Sequence, residues 1–369
     1  MKQATLENLH CTVTEDTLGD DECRVELFAD GNFEGALRGD LNNDEDWALN
    51  TSVVFDSDLV VKLFDEDGDF PGDDDDALGI VTIPASEVSH ATGDFTQDDA
   101  NYRLTYSVSD RSDVTPDSLL EWTLQNFESS TNPGVWPQID KAALASDVRA
   151  TVADPDGQVY QARAQFCGPC SIIVELARHM PRHYVRICQE LYETGTFYGR
   201  SNAVAASSDL LATTVGQDMS PADWLLAATM RDDENVIFGV SPDATGVEAD
   251  VQGMTTHWEM EGWAGEVLFK DNTANSTTFV WGEQDAISYA EEVYAGGGVA
   301  FVMIDSDLIT DPGGDSNPLV PNHWVVYRGG LGFNDDRIQF RVWSWARFYD
   351  VDVPLGRFED LMFGAVTGF

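Results

Sequence analysis

Basic residues are scarce in this chain of 369 residues. Twenty lysines and arginines stand against 66 aspartates and glutamates, for a formal net charge of −46. Only Lys2, Lys62, Lys141 and Lys270 are lysines. Nucleic-acid binding needs cations to displace phosphate counterions, so nucleic acid is not expected as a partner. Anionic membranes are disfavoured by the same field. No run reaches the roughly 18 apolar residues of a membrane span. Residues 1–20 lack the apolar centre of a secretory signal, which leads us to expect a cytoplasmic protein. Cysteine is also sparse: Cys11, Cys23, Cys167, Cys170 and Cys188 are odd in number and unevenly spaced. That suits a reducing compartment and catalytic rather than framework thiols. There is no Walker-type phosphate loop, no His-Glu-x-x-His, no second cysteine pair for zinc and no Gly-x-Ser-x-Gly. What the chain does have is apolar mass. Hydrophobic residues make up 43%, with 19 Phe, 10 Trp and 10 Tyr, enough to exclude an acidic disordered chain.

The acidity is spread along the whole length. This is the pattern of proteins from salt-accumulating halophiles, in which salt screens surface repulsion. It is densest at the start: residues 1–110 hold 28 acidic and 5 basic residues. Short alternating runs recur there, at Leu9–Val13, Cys23–Phe28, Ser52–Phe55, Leu59–Phe64, Leu78–Ile83 and Tyr102–Val108. Asp, Gly and Asn separate them, which predicts an all-β sandwich over 1–110. Residues 111–160 read as a connector with helical pieces, one of them at Ser118–Phe127. From 161 to 369 the pattern predicts helices at Cys170–Met180, Pro181–Thr194 and Pro221–Met230. Strands follow at Val299–Ile304, His323–Tyr327 and Ile338–Trp343. Helices first and strands later indicate an α+β domain.

Two loops of the first region concentrate carboxylates: Glu15–Asp21, and Asp65–Gly79 directly after the apolar run Leu59–Phe64. Calcium takes six to eight hard oxygens, which converging carboxylate loops can provide. The spacing resembles the C2 domain, a calcium- and phospholipid-binding β-sandwich, over roughly residues 5–108. Asp16 and Asp21 match its first loop. Asp65, Asp67 and Asp76, followed by Ala77-Leu78-Gly79, match its second. The resemblance implies that these five aspartates would ligate Ca2+. The second loop is about three residues long for the family, so the ligand among Asp73–Asp76 is open. The competing reading is a solvated acidic surface. Without a basic patch, membrane association is not expected.

The sharpest motif is Phe166-Cys167-Gly168-Pro169-Cys170, which admits two chemistries. A Cys-x-x-Cys at a helix start suits thiol–disulfide exchange, and its four residues are identical to the thioredoxin motif. The context is poor, with about 200 residues following and no Trp before the first Cys. The alternative is a thiol hydrolase, in which a nucleophilic Cys opens a buried helix, an upstream Gln holds the oxyanion, and a later His acts as base. Gln161 lies six residues before Cys167. The string Gln161…Cys167-Gly168-Pro169-Cys170-Ser171-Ile172-Ile173 resembles the nucleophile segment of papain-like, bacteriocin-leader-type cysteine peptidases. By that resemblance Cys167 is the nucleophile, and Cys170 is a neighbour or a resolving thiol. A register pairing Gln165 with Cys170 stays open.

Of the six histidines, His10 and His90 fall in the sandwich. His179 and His183 sit near a helix end, where exposure is expected, and His257 is expected at the surface or in a groove. His323 opens an apolar strand, and Pro321-Asn322-His323-Trp324-Val325-Val326 matches the family's His-x-Val-Val. The resemblance makes His323 the base. Arg341–Ala346 resembles the family's Asn-Ser-Trp-Gly segment, but Trp343 stands at the Asn position. Ser344 or a backbone carbonyl would then orient His323, or the site works as a dyad or is inactive. Trp345 would shield the pair from water. The sequence therefore points to a cysteine peptidase or amidase domain behind a C2-like sandwich. It would act on a peptide or protein substrate and need no cofactor for catalysis. The alternatives are a thioredoxin-like oxidoreductase using Cys167 and Cys170, an inactive binding module, or an effector with peptidase chemistry. Substrate specificity and oligomeric state are not legible.

Overall fold

The computed structural model describes residues 1–15, 21–66, 76–161, 166–215, 219–234, 255–278, 282–314 and 321–369. The chain forms two compact units, Met1–Gln125 and Asn126–Phe369. Their junction falls inside the stretch read above as a connector.

The first unit contains β1 (Lys2–Val13), β2 (Asp21–Ala29), β3 (Asn32–Leu41), β4 (Asp46–Phe55), β5 (Asp58–Asp65), β6 (Asp76–Pro84), β7 (Val88–Phe95) and β8 (Asn101–Asp110). They make two four-stranded antiparallel sheets, ordered β4-β1-β8-β7 and β3-β2-β5-β6. Alternation puts Leu6, Phe55, Val61, Leu63, Tyr102 and Leu104 into one core between the sheets. β7 and β6 lie in different sheets, and a Cβ added at Gly93 would run into Cγ1 and Cγ2 of Val81. A glycine is needed there for the sheets to close.

Helix α1 (Pro116–Ser129) runs across the junction. The second unit continues with α2 (Lys141–Ala153), α3 (Pro155–Gln158), α4 (Cys167–His179), α5 (Pro181–Thr194), β9 (Thr196–Tyr198), β10 (Ala203–Ala205), α6 (Ser208–Leu211) and α7 (Pro221–Glu234). After these come α8 (His257–Glu266), β11 (Ala274–Thr277), α9 (Glu283–Ala295), β12 (Val299–Ile304), α10 (Asp307–Thr310) and β13 (His323–Tyr327). The chain ends with β14 (Gly332–Asn334), β15 (Arg337–Ser344), β16 (Arg347–Pro354), α11 (Leu355–Leu361) and β17 (Met362–Gly368). The main sheet runs β11-β17-β12-β13-β15-β14, with β16 paired to β15, and every pairing is antiparallel. One core cluster joins Val302, Ile304, Val325, Tyr327, Phe340 and Val342 to Ile287 and Ala290 of α9. Helices α2, α4, α5 and α7 pack together, with Leu144, Val148, Ile172, Leu176, Val185 and Leu225 all buried. The antiparallel sheet with helices segregated before it is an α+β arrangement.

Two histidine expectations are corrected here. His183 is buried on α5, because the 3.6-residue period turns it inward, and burial pushes its imidazole down to about 3. His257 is buried on α8, its ring edge-on to Trp324 at 5.2 Å.

Arg328 and Glu175 form a buried ion pair at 2.5 Å. Burial works to raise the Glu175 carboxyl, but Arg328 and His179 outweigh it and hold it at about 2. The folded pKa is depressed, so the stabilisation is full above the ordinary value of 4.5 and is lost as pH falls toward 2. Arg328→Met should destabilise by about 2–4 kcal/mol near neutral pH, because the buried Glu175 is left charged with only the His179 contact at 3.3 Å. Denaturant melts check this, and a loss below about 1 kcal/mol would contradict the pairing. Gly93→Ala should cost about 1–3 kcal/mol by overpacking. Val81→Ala in the same chain should recover part of that loss, whereas additive losses would show that the two residues do not meet.

Candidate active site

Cys167 is the first residue of α4 and is 2% exposed. Among the described residues no side-chain cap bond is made at this helix start, where Phe166 stands at the N-cap position. The free amides and the positive end of the dipole therefore point toward the thiol. Burial pushes the Cys167 thiol up to about 11, against the backbone amides of Trp324 and Gly168 and the charge of Arg231, all of which favour thiolate. Arg231 is itself buried and pairs with Glu259 at 2.9 Å. Gly168 is required by packing, because a Cβ there would meet the Thr255 side chain. Thr255 in turn accepts from Trp324 Nε1 through its carbonyl at 2.8 Å. The start of β13 is thereby tied to the start of α4.

His323 is the first residue of β13 and is 2% exposed. Its Nδ1 lies 3.3 Å from Gln161 Nε2, and its Nε2 lies 2.7 Å from Ser344 Oγ. With the Gln161 amide donating, Nδ1 carries the lone pair and Nε2–H donates to Ser344. Burial pushes the imidazole down to about 3, so at neutral pH the ring is uncharged. At rest both the thiol and the imidazole are neutral.

The sequence left open which group lies beside His323, and the sheet register brings Ser344 there. Val326 faces Trp343 across β13 and β15. Successive residues of a strand alternate faces, so Ser344 keeps the parity of Val342 while Trp343 takes the other side. Trp343 donates its Nε1–H to the Asp156 carbonyl at 2.8 Å, away from His323. Trp345 and Ala346 form the two-residue turn between β15 and β16, at φ 48° and 57°. Positive φ at both central positions is the hairpin turn that follows strand twist, and it is costly for a bulky side chain. The turn lays the Trp345 ring on His323, with centroids 4.2 Å apart and planes 10° apart.

Gln161, His323, Ser344 and Trp345 thus converge beside the start of α4. Cys170 is fully buried one turn further on, its thiol pushed well above the ordinary range by burial and by the charges of Asp223 and Cys167. All five cysteines are free thiols. Gln165, of the alternative register, lies outside the described residues. Sequence reasoning gave no role to Arg231 and none to Asp223 beyond helix cap, packing or groove lining. A charged residue inside an otherwise apolar helical face was the signal for both.

Among the proposed metal ligands, Asp16 and Asp67 lie outside the described residues. Asp21 opens β2, Asp65 closes β5 and Asp76 opens β6, all at one end of their sheet. Asp21 and Asp65 are fully buried. Asp21 accepts from Tyr102 Oη at 2.5 Å and from the Glu15 amide at 2.9 Å. Among the described residues, no group of three or more His, Cys, Asp or Glu side chains is gathered to hold a metal. No helix among them is long and apolar enough to cross a membrane.

No family model and no curated protein matches this chain. Among solved structures, it is similar to a C2 domain at 22% identity, over 30% of this chain and 100% of that one, with a TM-score of 0.25. A C2 domain of plant Extended Synaptotagmin 1 is similar at 10% identity, over 29% and 90%, with a TM-score of 0.22. Human GIVD cytosolic phospholipase A2 is similar at 16% identity, over 30% of this chain and 17% of that chain, with a TM-score of 0.23. These likenesses concern fold over part of the chain and carry nothing about function.

Proposed function

We propose that the second unit is a papain-like thiol hydrolase acting on an amide, most simply a peptide bond. The observation that carries this reading is His323, held between Gln161 and Ser344 beside a buried helix start that presents Cys167. As substrate binds, the Gln161 amide turns from His323 Nδ1 to the substrate oxygen, and Cys167 sulfur attacks the carbonyl carbon while its proton passes to the freed Nδ1. The carbonyl π electrons move to oxygen, where Gln161 Nε2–H and the Cys167 amide receive the negative charge. His323 then gives the proton to the leaving amine, and the C–N bond breaks. Water, deprotonated by His323, hydrolyses the thioester and restores the thiol. Ser344 fixes the ring tautomer, and Trp345 keeps water off the imidazole. Because the resting pair is neutral, the proton moves only as substrate charge develops. The acidic field of the chain favours neutral or basic substrates.

The disulfide-exchange reading is weaker. It needs Cys170 as a thiolate to resolve the mixed disulfide, and burial with the nearby charge of Asp223 pushes that thiol well above its ordinary range. It also expects the motif to follow a strand of its sheet, whereas the element described before Cys167 is the short helix α3.

Cleavage of a mixed peptide library at high salt tests the proposal. Cys167→Ala should abolish cleavage. Gln161→Ala should lower kcat by about 10²–10³, and His323→Ala by about 10²–10⁴. Cys170→Ser should leave it largely intact. Activity that survives Cys167→Ala and is lost in Cys170→Ser would overturn the assignment.

A second reading concerns the first unit: calcium binding between the loops that flank Asp21 and Asp65. What favours it is the burial of both carboxylates at one end of the sheet. They offer hard oxygen donors, and Asp16, Asp67 and Asp76 would have to complete the set. Calcium should raise the melting temperature at fixed high salt and a chelator should reverse the rise; no shift removes this reading.

A further inference from the structure

The hydrolase reading leaves Asp223 without a task. It is the third residue of α7 and is fully buried. An acid in the first turn of a helix ordinarily meets the dipole from solvent. Here the cap belongs to Ser220, whose Oγ accepts from the Asp223 amide at 3.1 Å. The Asp223 carboxyl points inward, and its Oδ2 accepts from the backbone N–H of Tyr160 at 3.0 Å. Its Oδ1 is buried and has no hydrogen bond among the described residues.

The position of Tyr160 gives this bond its meaning. Helix α3 ends at Gln158, and Tyr160 and Gln161 belong to neither helix nor strand. The Tyr160 side chain is 45% exposed, so core packing does not hold it. Yet the next residue, Gln161, is 3% exposed and must bring its amide within 3.3 Å of His323. An error of about 1 Å at such a group costs on the order of 10² in rate. We propose that Asp223 is a positioning residue: its buried carboxyl grips the Tyr160 amide and so fixes where Gln161 delivers its side chain. This inference rests on the hydrolase reading for its catalytic purpose, though not for the anchor itself.

The surroundings make the grip sensitive to pH. Burial pushes the Asp223 carboxyl up to about 7, opposed by the Tyr160 amide and Ser220 and reinforced by Asp147 of α2. Cys170 of α4 and Tyr184 and Cys188 of α5 also face it, and none of these groups is a cation. The charged form makes the stronger, charge-assisted bond. The anchor therefore tightens as pH rises through neutrality and loosens below it.

The test uses the full chain labelled with ¹⁵N-tyrosine, ten residues in all, with Tyr160→Phe identifying the Tyr160 amide signal. In the wild type that signal should titrate with a midpoint near 7. In Asp223→Asn, which keeps an acceptor, it should stay in its hydrogen-bonded position and stop titrating. In Asp223→Leu it should leave that position. A Tyr160 signal unchanged in Asp223→Leu, or still titrating in Asp223→Asn, would overturn the anchor. Kinetics supply the second arm. Asp223→Leu should lower kcat about 10- to 100-fold with little change in KM, Asp223→Asn should recover most of it, and neither should matter in a Gln161→Ala background. An equal loss in that background would show a merely structural role and overturn the proposal. Should Asp223→Leu fail to fold, Asp223→Asn still decides through the titration. If the wild type cleaves nothing, the hydrolase reading fails on its own, and the amide signals still decide whether Asp223 anchors Tyr160.

Discussion

The site depends on one junction: the buried first turn of α4 against the first residue of β13. The Trp324 amide leans on the Cys167 sulfur, and the Trp324 indole is tied to Thr255. Thr255 lies so close to Gly168 that no side chain fits between them. The arrangement removes the thiol and the imidazole from water, and burial then dictates their charge. Desolvation disfavours the charged form of each, so a preformed thiolate–imidazolium pair is not what this structure stores. What it stores is a held imidazole, with Nδ1 against Gln161 and Nε2 against Ser344, and the Gln161 bond has to open before Nδ1 can take a proton.

This bears on the acidity of the chain. A net charge of −46 would raise the pKa of an exposed thiol and oppose a nucleophilic anion. Putting the pair inside an apolar shell, with Arg231 as a nearby buried cation, separates the chemistry from the surface. The carboxylates that do enter the interior have partners: Glu175 has Arg328, Asp21 has Tyr102 and Asp223 has the Tyr160 amide. Glu26, Asp65 and Asp305 are buried as well, and most of the rest lie on a surface that salt can screen.

How much of this was legible in the sequence depended on where each residue's partner lay. Strands β12 and β13 and helix α5 have the bounds expected from sequence, because apolar runs and the Pro181 start are local signals. Helix α4 begins three residues earlier than its apolar period suggests, since Pro169 is tolerated in a first turn. The edge strands β3 and β7 were missed: they are polar and half-solvated, and little alternation survives at a sheet edge. Strand β17 and helix α9 were missed too, the first because a fully buried strand shows no alternation. At the site, Cys167, His323 and Gln161 could be named from local motifs. Ser344 was one of several options for the neighbour of His323, and its contact at 2.7 Å depends on the register of β15. Asp223 and Gln161 lie 62 residues apart in the chain, and nothing local in either segment announces that they cooperate.

The most direct measurement is the intact mass of the protein after exposure to a peptidyl electrophile, read together with its site of attachment. A peptidyl chloromethyl ketone needs both an aligned thiol and an oxyanion site, so it reports the assembled centre rather than simple thiol exposure. The account predicts one adduct per chain, on Cys167, formed at least about tenfold more slowly in His323→Ala. An adduct on Cys170, or labelling of Cys167 that is indifferent to His323, would contradict it.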